Sequence, residues 1–257
     1  MCGDHDKPGH GWQGWLACPP PEPQVSAAPW QDCSHKLSET MPNASVFPTP
    51  RFRRLKSMPD DPLNVTEMRM AVHSGTHVDA PLHFFIDGPA IDAIPLDRLW
   101  GAGAILRIAA EPCAPITAAM LEAQAALVRP GDIIGFDTSW SRHAGTPQYE
   151  RHPYIGDDAA HWLVDHQIKL IACDFPSADL PIIARKPGFS WPAHHILLSQ
   201  GVLVSEHFAP AIGLAGQRVE FMFNALNIAG SDGAPARVLA RPIHWSSSQS
   251  LERAPRH

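Results

Sequence analysis

Residues 73–83 read His73-Ser74-Gly75-Thr76-His77-Val78-Asp79-Ala80-Pro81-Leu82-His83, so three histidines and an aspartate fall within a very short stretch. Gly75, Pro81 and the two β-branched residues between them disfavour a helix, and we expect a turn followed by an extended strand. Alternate side chains of a strand point to the same face, which places His77 beside Asp79. A turn at Gly75 then returns His73 to the same neighbourhood.

Two imidazoles and one carboxylate, from His73, His77 and Asp79, suit a divalent ion such as Zn²⁺ or Mn²⁺ and leave positions for water. The alternative is a group of loop histidines whose hydrogen bonds are satisfied by the protein itself. The density of ligand types in this stretch favours the metal site.

A second candidate group begins with a predicted helix that Ser190-Trp191-Pro192 opens and Gly201 closes. His194 lies in its first turn, where the helix dipole disfavours imidazolium. The neutral imidazole that results is the form that binds metal. On the residues alone, the neighbouring His195 is an equal candidate.

The strand that follows this helix ends on an acid. Glu206 continues the alternation of Val202 and Val204 and therefore lies on their apolar face. A carboxylate on such a face needs a partner, and a metal ion would serve. His207 is an equally visible candidate ligand. The alternative to a site is a surface helix followed by a capped strand.

The rest of the chain predicts short strands and helices in irregular alternation. Strands are expected at 64–72, 105–108, 133–136, 168–173, 202–205, 219–223 and 236–240, and helices at 117–128, 157–166 and 190–201. Because the strands outnumber the helices and do not alternate strictly with them, we predict a mixed α/β single domain rather than a doubly wound parallel sheet. The proline-rich segment 41–62 is predicted to be a long loop of the kind that lines sites.

Composition excludes several classes of protein. The chain has 257 residues, of which 44% are hydrophobic, and a formal net charge of −6, which argues against a nucleic-acid binder. No apolar run approaches the ~18 residues that a membrane span needs. The 27 prolines are about twice the ordinary ~5% share and predict many loops.

The cysteines and the chain ends complete the organisation that we predict. Five cysteines, an odd number without a CxxC pair, indicate reduced thiols and a cytoplasmic protein. Residues 1–30 have no signal-peptide pattern and are predicted to form a proline-rich arm, packed on the body or on a second subunit, or else free. The domain is expected over 31–245, and 246–257 is predicted to be a C-terminal tail.

The segment 73–84, HSGTHVDAPLHF, resembles the hallmark HxGTHxDxPxHF of the metal-dependent cyclase family, whose members include bacterial kynurenine formamidases (arylformamidases) and isatin hydrolases. Other family segments are matched in order along the chain by 32–42 (DCSHKLSETMP), 131–134 (GDII), 152–154 (HPY), 174–179 (DFPSAD) and 230–237 (GSDGAPAR). The resemblance implies a swivelling β/β/α fold with a mixed sheet, assembled as a homodimer or homotetramer.

The resemblance also implies the roles of site residues. It implies that the metal ligands are His73, His77, Asp79, His194 and Glu206, and that His83 is the catalytic acid and base. Formamidases of the family hold two ions and isatin hydrolases are described with one manganese, so one or two ions, Zn²⁺ or Mn²⁺, are expected.

The activity that the resemblance implies is hydrolysis of the C–N bond in an arylformamide or a cyclic amide or imide. Phe47, Phe84 and Trp191 are candidates for an apolar substrate wall, and ordinary core packing is the alternative for each. Phe47 falls near a position where formamidases have a tryptophan, which leaves the substrate open. Other readings are lactone hydrolysis or dehydration at the same metal, and a catalytically silent metal-binding scaffold. No GxSxG or P-loop motif is present.

Overall fold

The computed structural model describes residues 11–22, 26–44 and 46–243. Within these residues the strands are β1 (Gln31–Asp32), β2 (Arg51–Lys56), β3 (Val65–Arg69), β4 (His77–Asp79), β5 (Trp100–Arg107), β6 (Pro115–Ile116), β7 (Ile133–Asp137), β8 (Tyr154–Ile155), β9 (Leu170–Ala172), β10 (Leu203–Glu206), β11 (Gln217–Ala225) and β12 (Gly233–Pro242). The α-helices are α1 (Ala118–Glu122), α2 (Asp157–Asp165) and α3 (Pro192–Ser199).

Seven of these strands close into a barrel. The hydrogen-bonded order runs β12-β11-β5-β7-β9-β10-β4, and β4 also pairs with β12, while β1 attaches to the outer edge of β12. Strands β5, β7, β9 and β10 are parallel, and the other barrel pairings are antiparallel. The predicted mixed α/β fold with a mixed sheet is therefore confirmed, and the swivelling β/β/α description stays a prediction.

Two cores lie on the two faces of the barrel wall. Ile133 and Leu170 belong to a cluster inside the barrel, whereas their neighbours Ile134 and Ile171 pack in a second cluster with residues of α2 and α3. Strands that are buried on both faces read as continuous apolar runs, which is why these central strands were predictable from the sequence.

The helix predicted at 117–128 is wrong in its length. Helix α1 ends at Glu122, and a separate 3-10 turn follows at Ala125–Leu127. The residue before α1, Thr117, makes no side-chain cap, and the Asp158 carboxylate accepts the first backbone N–H of α1 instead. The cap is therefore supplied from α2, which the local sequence does not reveal.

The prediction of a loop throughout 41–62 is also wrong, because β2 lies within it and pairs with β3 in an antiparallel hairpin. Five of the six residues of β2 are exposed, and its sequence RFRRLK has no apolar alternation. An exposed hairpin strand of this kind lacks the period-two pattern that marks a half-buried strand. The described residues before β2, 41–44 and 46–50, form loop, and Ala44, Val46 and Phe47 among them reach the cavity over the site.

The described part of the predicted arm contacts the body of the same chain. The backbone N–H groups of Gln13 and Leu16 donate to the carbonyls of Ser199 and Gln200, and the guanidinium of Arg98 lies 5.2 Å from the centroid of the Trp15 ring system. Residues 1–10 and the predicted tail 246–257 lie outside the described residues.

Two further expectations concern the described chain as a whole. Its cysteines, Cys18, Cys33, Cys113 and Cys173, are all unpaired. Among the described residues, none of the helices has both the length and the apolarity needed to cross a bilayer.

Candidate metal centre

The pairing of β4 with β10 brings the histidine-rich segment 73–83 next to Glu206. His77 pairs with Glu206, and Asp79 pairs with Val204. Val78, between the two polar residues of β4, belongs to the cluster inside the barrel. Because side chains alternate along a strand, His77 and Asp79 face outward toward α3.

Helix α3 supplies the next donor. His194 lies in its first turn, and its Nε2 is 3.2 Å from Glu206 Oε1 and 3.5 Å from Asp79 Oδ2. On the other side, His77 Nε2 is 3.2 Å from Asp79 Oδ1 and 3.7 Å from Glu206 Oε2. His77, Asp79 and Glu206 offer donor atoms that all lie within 4.8 Å of one another, as the ligands of a single divalent ion do, and His194 borders this group at the other oxygens of the two carboxylates.

The hydrogen bonding of the cluster supports the same fit. His77 Nε2 and Asp79 Oδ2 are buried atoms without a hydrogen-bond partner. Burying unpaired polar atoms is costly, and coordination would remove that cost. His77 Nδ1 donates to the Gly75 carbonyl at 2.7 Å, which fixes the ring and leaves the Nε2 lone pair facing the cluster, the arrangement typical of a metal-bound histidine.

The electrostatics of the cluster are those of a cation site. Burial by itself would raise the pKa of Asp79, but His77, His194 and His73 hold it well below its usual range. Burial opposes charge on His194 as well, yet the surrounding carboxylates of Asp179, Asp79 and Glu206 raise its pKa well above the usual value, so the neutral imidazole expected from the helix dipole is wrong for the metal-free protein. The carboxylates thus attract a cation at this point, and a divalent ion competes with the proton for it.

Asp179 orients the His194 imidazole through its Nδ1 atom. Its Oδ2 lies 2.5 Å from His194 Nδ1, and its carboxylate also accepts the backbone N–H groups of Ala193 and His194 at the start of α3. The same acid therefore caps the helix and fixes the imidazole so that Nε2 faces the cluster. No local pattern in the sequence indicates a role for Asp179, although it ends the 174–179 segment that resembles the family.

Asp179→Asn is expected to weaken divalent-metal affinity by about 10- to 100-fold, because the amide no longer holds the His194 imidazole by a charged hydrogen bond. Asparagine caps helices about as well as aspartate, so the free energy of unfolding should change little. Competition with a chromogenic chelator measures the affinity, and thermal melting checks the fold. Unchanged affinity in a folded variant would contradict the supporting role.

His73 occupies the far side of Asp79. Its Nδ1 donates to Asp79 Oδ1 at 2.7 Å and its Nε2 donates to Asp232 Oδ2 at 2.8 Å. Burial disfavours the charge, but the two hydrogen bonds raise the pKa of His73 to about 10. His73, Asp79 and His83 also form a donor group whose atoms lie within 4.8 Å of one another. The two donor groups therefore share Asp79.

His83 lies at the open side of the cluster. Its ring stacks on that of His73 with centroids 3.9 Å apart, and its Nδ1 is 3.3 Å from Asp232 Oδ2. The His83 side chain is 26% exposed, whereas those of His77 and Asp79 are 1% exposed. His83 is thus the most exposed histidine of the cluster.

Asp232 links the two histidines, and residue reasoning assigned it no role. Hydrogen bonds from His73 and His83 hold its pKa well below the usual range. It lies just before β12, far along the chain from both histidines, and its only signal in the sequence was its place in the 230–237 segment that resembles the family.

Among the described residues, His194, His195 and His207 belong to neither group of three donors, and His194 differs from the other two because its Nε2 lies within 3.5 Å of both Asp79 and Glu206. His195 Nδ1 donates to the Trp191 carbonyl. His207 is buried, and its Nδ1 is hydrogen-bonded to the hydroxyl of Tyr149 at 3.0 Å.

A cavity of about 470 Å³ opens over the cluster. It is lined by Ala44, Val46, Phe47, His73, His83, Phe84, Pro176, Ser177, Ile182, Arg185, Trp191, His194 and Glu206. The three aromatic residues proposed as a substrate wall, Phe47, Phe84 and Trp191, all lie on it, and their role in binding stays a prediction. Phe85, next to Phe84, instead packs in the core between barrel and helices.

A family model described as "Putative cyclase" matches residues 31–180, more than half of the chain. The chain belongs to the cyclase family. A kynurenine formamidase of Salinibacter ruber is 31% identical over 184 residues, which are 70% of this chain and 80% of the relative. Another, from Geobacillus thermodenitrificans, is 28% identical over 224 residues, which are 84% and 98% of the two chains.

Solved structures share the cyclase fold. An isatin hydrolase bound to the product analogue thioisatinate matches with a TM-score of 0.75 at 22% identity, covering 83% of this chain and 92% of its own. A structure titled "Potential Metal-Dependent Hydrolase With Cyclase Activity" matches with a TM-score of 0.68 at 27% identity, covering 83% and 98%.

Together the comparisons confirm the predicted family and the prediction of an enzyme. The chain is therefore an enzyme of the cyclase family, and the relatives and neighbours that it resembles are formamidases and isatin hydrolases.

Proposed function

We propose that this cyclase hydrolyses the C–N bond of an arylformamide or a cyclic amide. The observation that carries the proposal is that the buried donors His77, Asp79 and Glu206 converge, with His194 beside them, beneath an aromatic-lined cavity into which His83 is exposed. The kynurenine formamidases among its relatives support a formamide substrate.

His77, Asp79 and Glu206, with His194 beside them, would hold one divalent ion, Zn²⁺ or Mn²⁺, and His73, once deprotonated, offers with Asp79 and His83 a place for a second. A bound ion of this type lowers the pKa of water toward ~7 and polarises a carbonyl oxygen. The burial of the donors keeps bulk water away from the ligand atoms, which strengthens their electrostatic attraction for the ion.

His83 would act as the acid and base. An imidazole exposed to the cavity accepts a proton from the attacking water and delivers it to the leaving nitrogen. Asp232 accepts a hydrogen bond at His83 Nδ1, so the ring presents its other nitrogen, Nε2, for proton transfer. The stacked ring of His73 limits the tilt of His83. Phe47, Phe84 and Trp191 would contact the aromatic part of the substrate.

The proposal also includes where the protein is found and how its chains assemble. A cytoplasmic location is supported by the unpaired cysteines, and a homodimer or homotetramer by the resemblance to the family.

The proposal is tested by metal content and turnover. The enzyme is stripped with a chelator, reloaded with Zn²⁺ or Mn²⁺, and assayed with formanilide, N-formylkynurenine, isatin and a dienelactone. We expect metal-dependent release of the amine from at least one amide substrate. Full metal occupancy without turnover of any amide would contradict the proposed function, and turnover of the lactone alone would replace it.

A further inference from the structure

The N-terminal segment 11–22 (the strap) lies outside the part of the chain that the family model matches, which begins at residue 31. None of its residues has a part in the proposed function. It contains no helix or strand, so its position depends on contacts with the body of the chain. Trp12 and Leu16 pack against the core between barrel and helices, and Trp15 packs against the core inside the barrel. The strap is thus in contact with both cores.

The strap is hydrogen-bonded to the turn that joins α3 to β10. The backbone N–H of Gln13 donates to the Ser199 carbonyl, and that of Leu16 donates to the Gln200 carbonyl, both at 2.8 Å. Ser199 ends α3 and Gln200 follows it, so these carbonyls are among the acceptors that a helix cannot satisfy from its own turns. The strap therefore supplies the C-terminal cap of α3.

Side chains of the strap also pack on this turn. Gly201 has a φ of +68°, the left-handed conformation typical of a residue that follows a helix, and a Cβ atom there would lie 2.5 Å from the Trp15 ring. The guanidinium of Arg98 lies 5.2 Å from the centroid of the Trp15 ring system and donates from Nη2 to the Leu16 carbonyl at 2.5 Å. The body of the chain therefore holds these two residues of the strap against the turn.

The two elements that the turn joins carry two residues of the candidate metal centre. His194 lies in the first turn of α3 and Glu206 ends β10, and their Nε2 and Oε1 atoms are 3.2 Å apart. Asp179 caps the N-terminal end of α3, and the strap caps the C-terminal end. Because α3 has only eight residues and its neighbours are closely packed, a shift at one end moves the His194 imidazole as well.

We infer that the strap positions α3 and β10 so that His194 and Glu206 meet, and that its docking is thermodynamically coupled to the binding of the divalent ion. This inference rests on the proposed function, because it requires that the ion binds beside His194. Trp15 and Leu16 are positioning residues, since they act through the α3–β10 turn. Such coupling is reciprocal, so an ion that binds more tightly when the strap is docked also strengthens docking of the strap.

The first test measures the affinity of the full-length protein for Zn²⁺ by competition with a chromogenic chelator. Leu16→Pro removes the N–H that donates to Gln200. A lost hydrogen bond whose effect is fully transmitted corresponds to about 2- to 10-fold in affinity, and we expect Leu16→Pro to bind Zn²⁺ more weakly by that factor. The visible absorption bands of the Co²⁺-loaded protein, which report the geometry of the ligands, should shift in the same variant.

Ala17→Pro is the matched control, because Ala17 is exposed and its N–H donates to none of the described residues. It introduces the same ring into the strap and should change neither the affinity nor the Co²⁺ spectrum. Unchanged affinity in a Leu16→Pro protein that melts as a folded chain would overturn the inference. Equal loss in both proline variants would also overturn it, because the lost hydrogen bond would then not be the cause.

The second test uses the wild type, so it decides the inference even if Leu16→Pro does not fold. Hydrogen exchange of the Gln13 and Leu16 amides is compared between the metal-free and the Zn²⁺-loaded protein. These amides exchange when the strap undocks, so Zn²⁺ should slow their exchange by about 2-fold or more. The Ser57 amide, which donates to the Asp61 carboxylate in the exposed turn after β2, should exchange at the same rate in both states.

Failure of this inference and failure of the proposed function give different results. If Zn²⁺ binds but does not affect exchange in the strap, the inference alone is overturned. If Zn²⁺ binds and slows exchange in the strap but no amide is turned over, the proposed function fails and the inference stands. A protein that binds no divalent ion would overturn both.

Discussion

His77→Ala is expected to yield an enzyme that retains no stoichiometric metal after dialysis and has no measurable turnover. His77 supplies a buried Nε2 that has no hydrogen-bond partner and lies 3.2 Å from Asp79 Oδ1 and 3.7 Å from Glu206 Oε2. Loss of a residue that merely supports a ligand costs about 10- to 100-fold in metal affinity, and loss of a ligand itself should cost more. Elemental analysis of the dialysed protein gives the metal content per chain.

His195→Ala is the matched control for this experiment. His195 is also a histidine beside the site, but it belongs to neither donor group of the described residues, and its Nδ1 donates to a backbone carbonyl. It should retain full metal. A His77→Ala enzyme with unchanged metal content would remove His77 from the ligand set, and thermal melting shows whether a negative result reflects an unfolded protein.

The local part of this site was predictable because it depends only on strand alternation and short turns. The pattern in 73–83 predicted that His77 and Asp79 share a face, and β4 has that geometry with Val78 turned into the barrel. The alternation along β10 likewise predicted the face of Glu206. On the residues alone the choice between His194 and His195 stayed open, because both lie near the start of one helix.

The residues that orient the site were not predictable in the same way. Asp232 meets His73 and His83 only because the barrel closes β12 against β4, which is a contact between distant parts of the chain. Asp179 reaches His194 from a loop outside α3. An isolated aspartate carries no periodic signal, so its role depends on tertiary structure.

Secondary structure was mispredicted where the local sequence carries no apolar period or where a distant residue supplies the cap. Strand β2 is exposed and charged and therefore has no apolar period. Helix α1 takes its cap from Asp158, which the alanine-rich local sequence does not encode. Strands β7 and β9 are buried on both faces, and their apolar runs were sufficient to place them.

His83→Ala is expected to keep its metal and to lose about 10²- to 10⁴-fold in kcat, the usual contribution of a positioned acid or base. The four donors His77, Asp79, His194 and Glu206 do not include it, and its partial exposure allows the ring to be removed without leaving a sealed void. Added imidazole, which fits the space of the lost ring, should restore part of the rate. Metal content, kcat and the imidazole dependence are measured on one preparation.

Loss of metal from His83→Ala would also be informative, because His73, Asp79 and His83 form a donor group of their own. If His83→Ala loses metal in proportion to activity, His83 is a ligand of a second ion rather than the acid and base. His161→Ala, at an exposed position of α2, controls for the effect of removing a histidine and should change neither quantity. Because imidazole can return a proton carrier but cannot replace a lost ion, rescue without added metal distinguishes the two roles of His83.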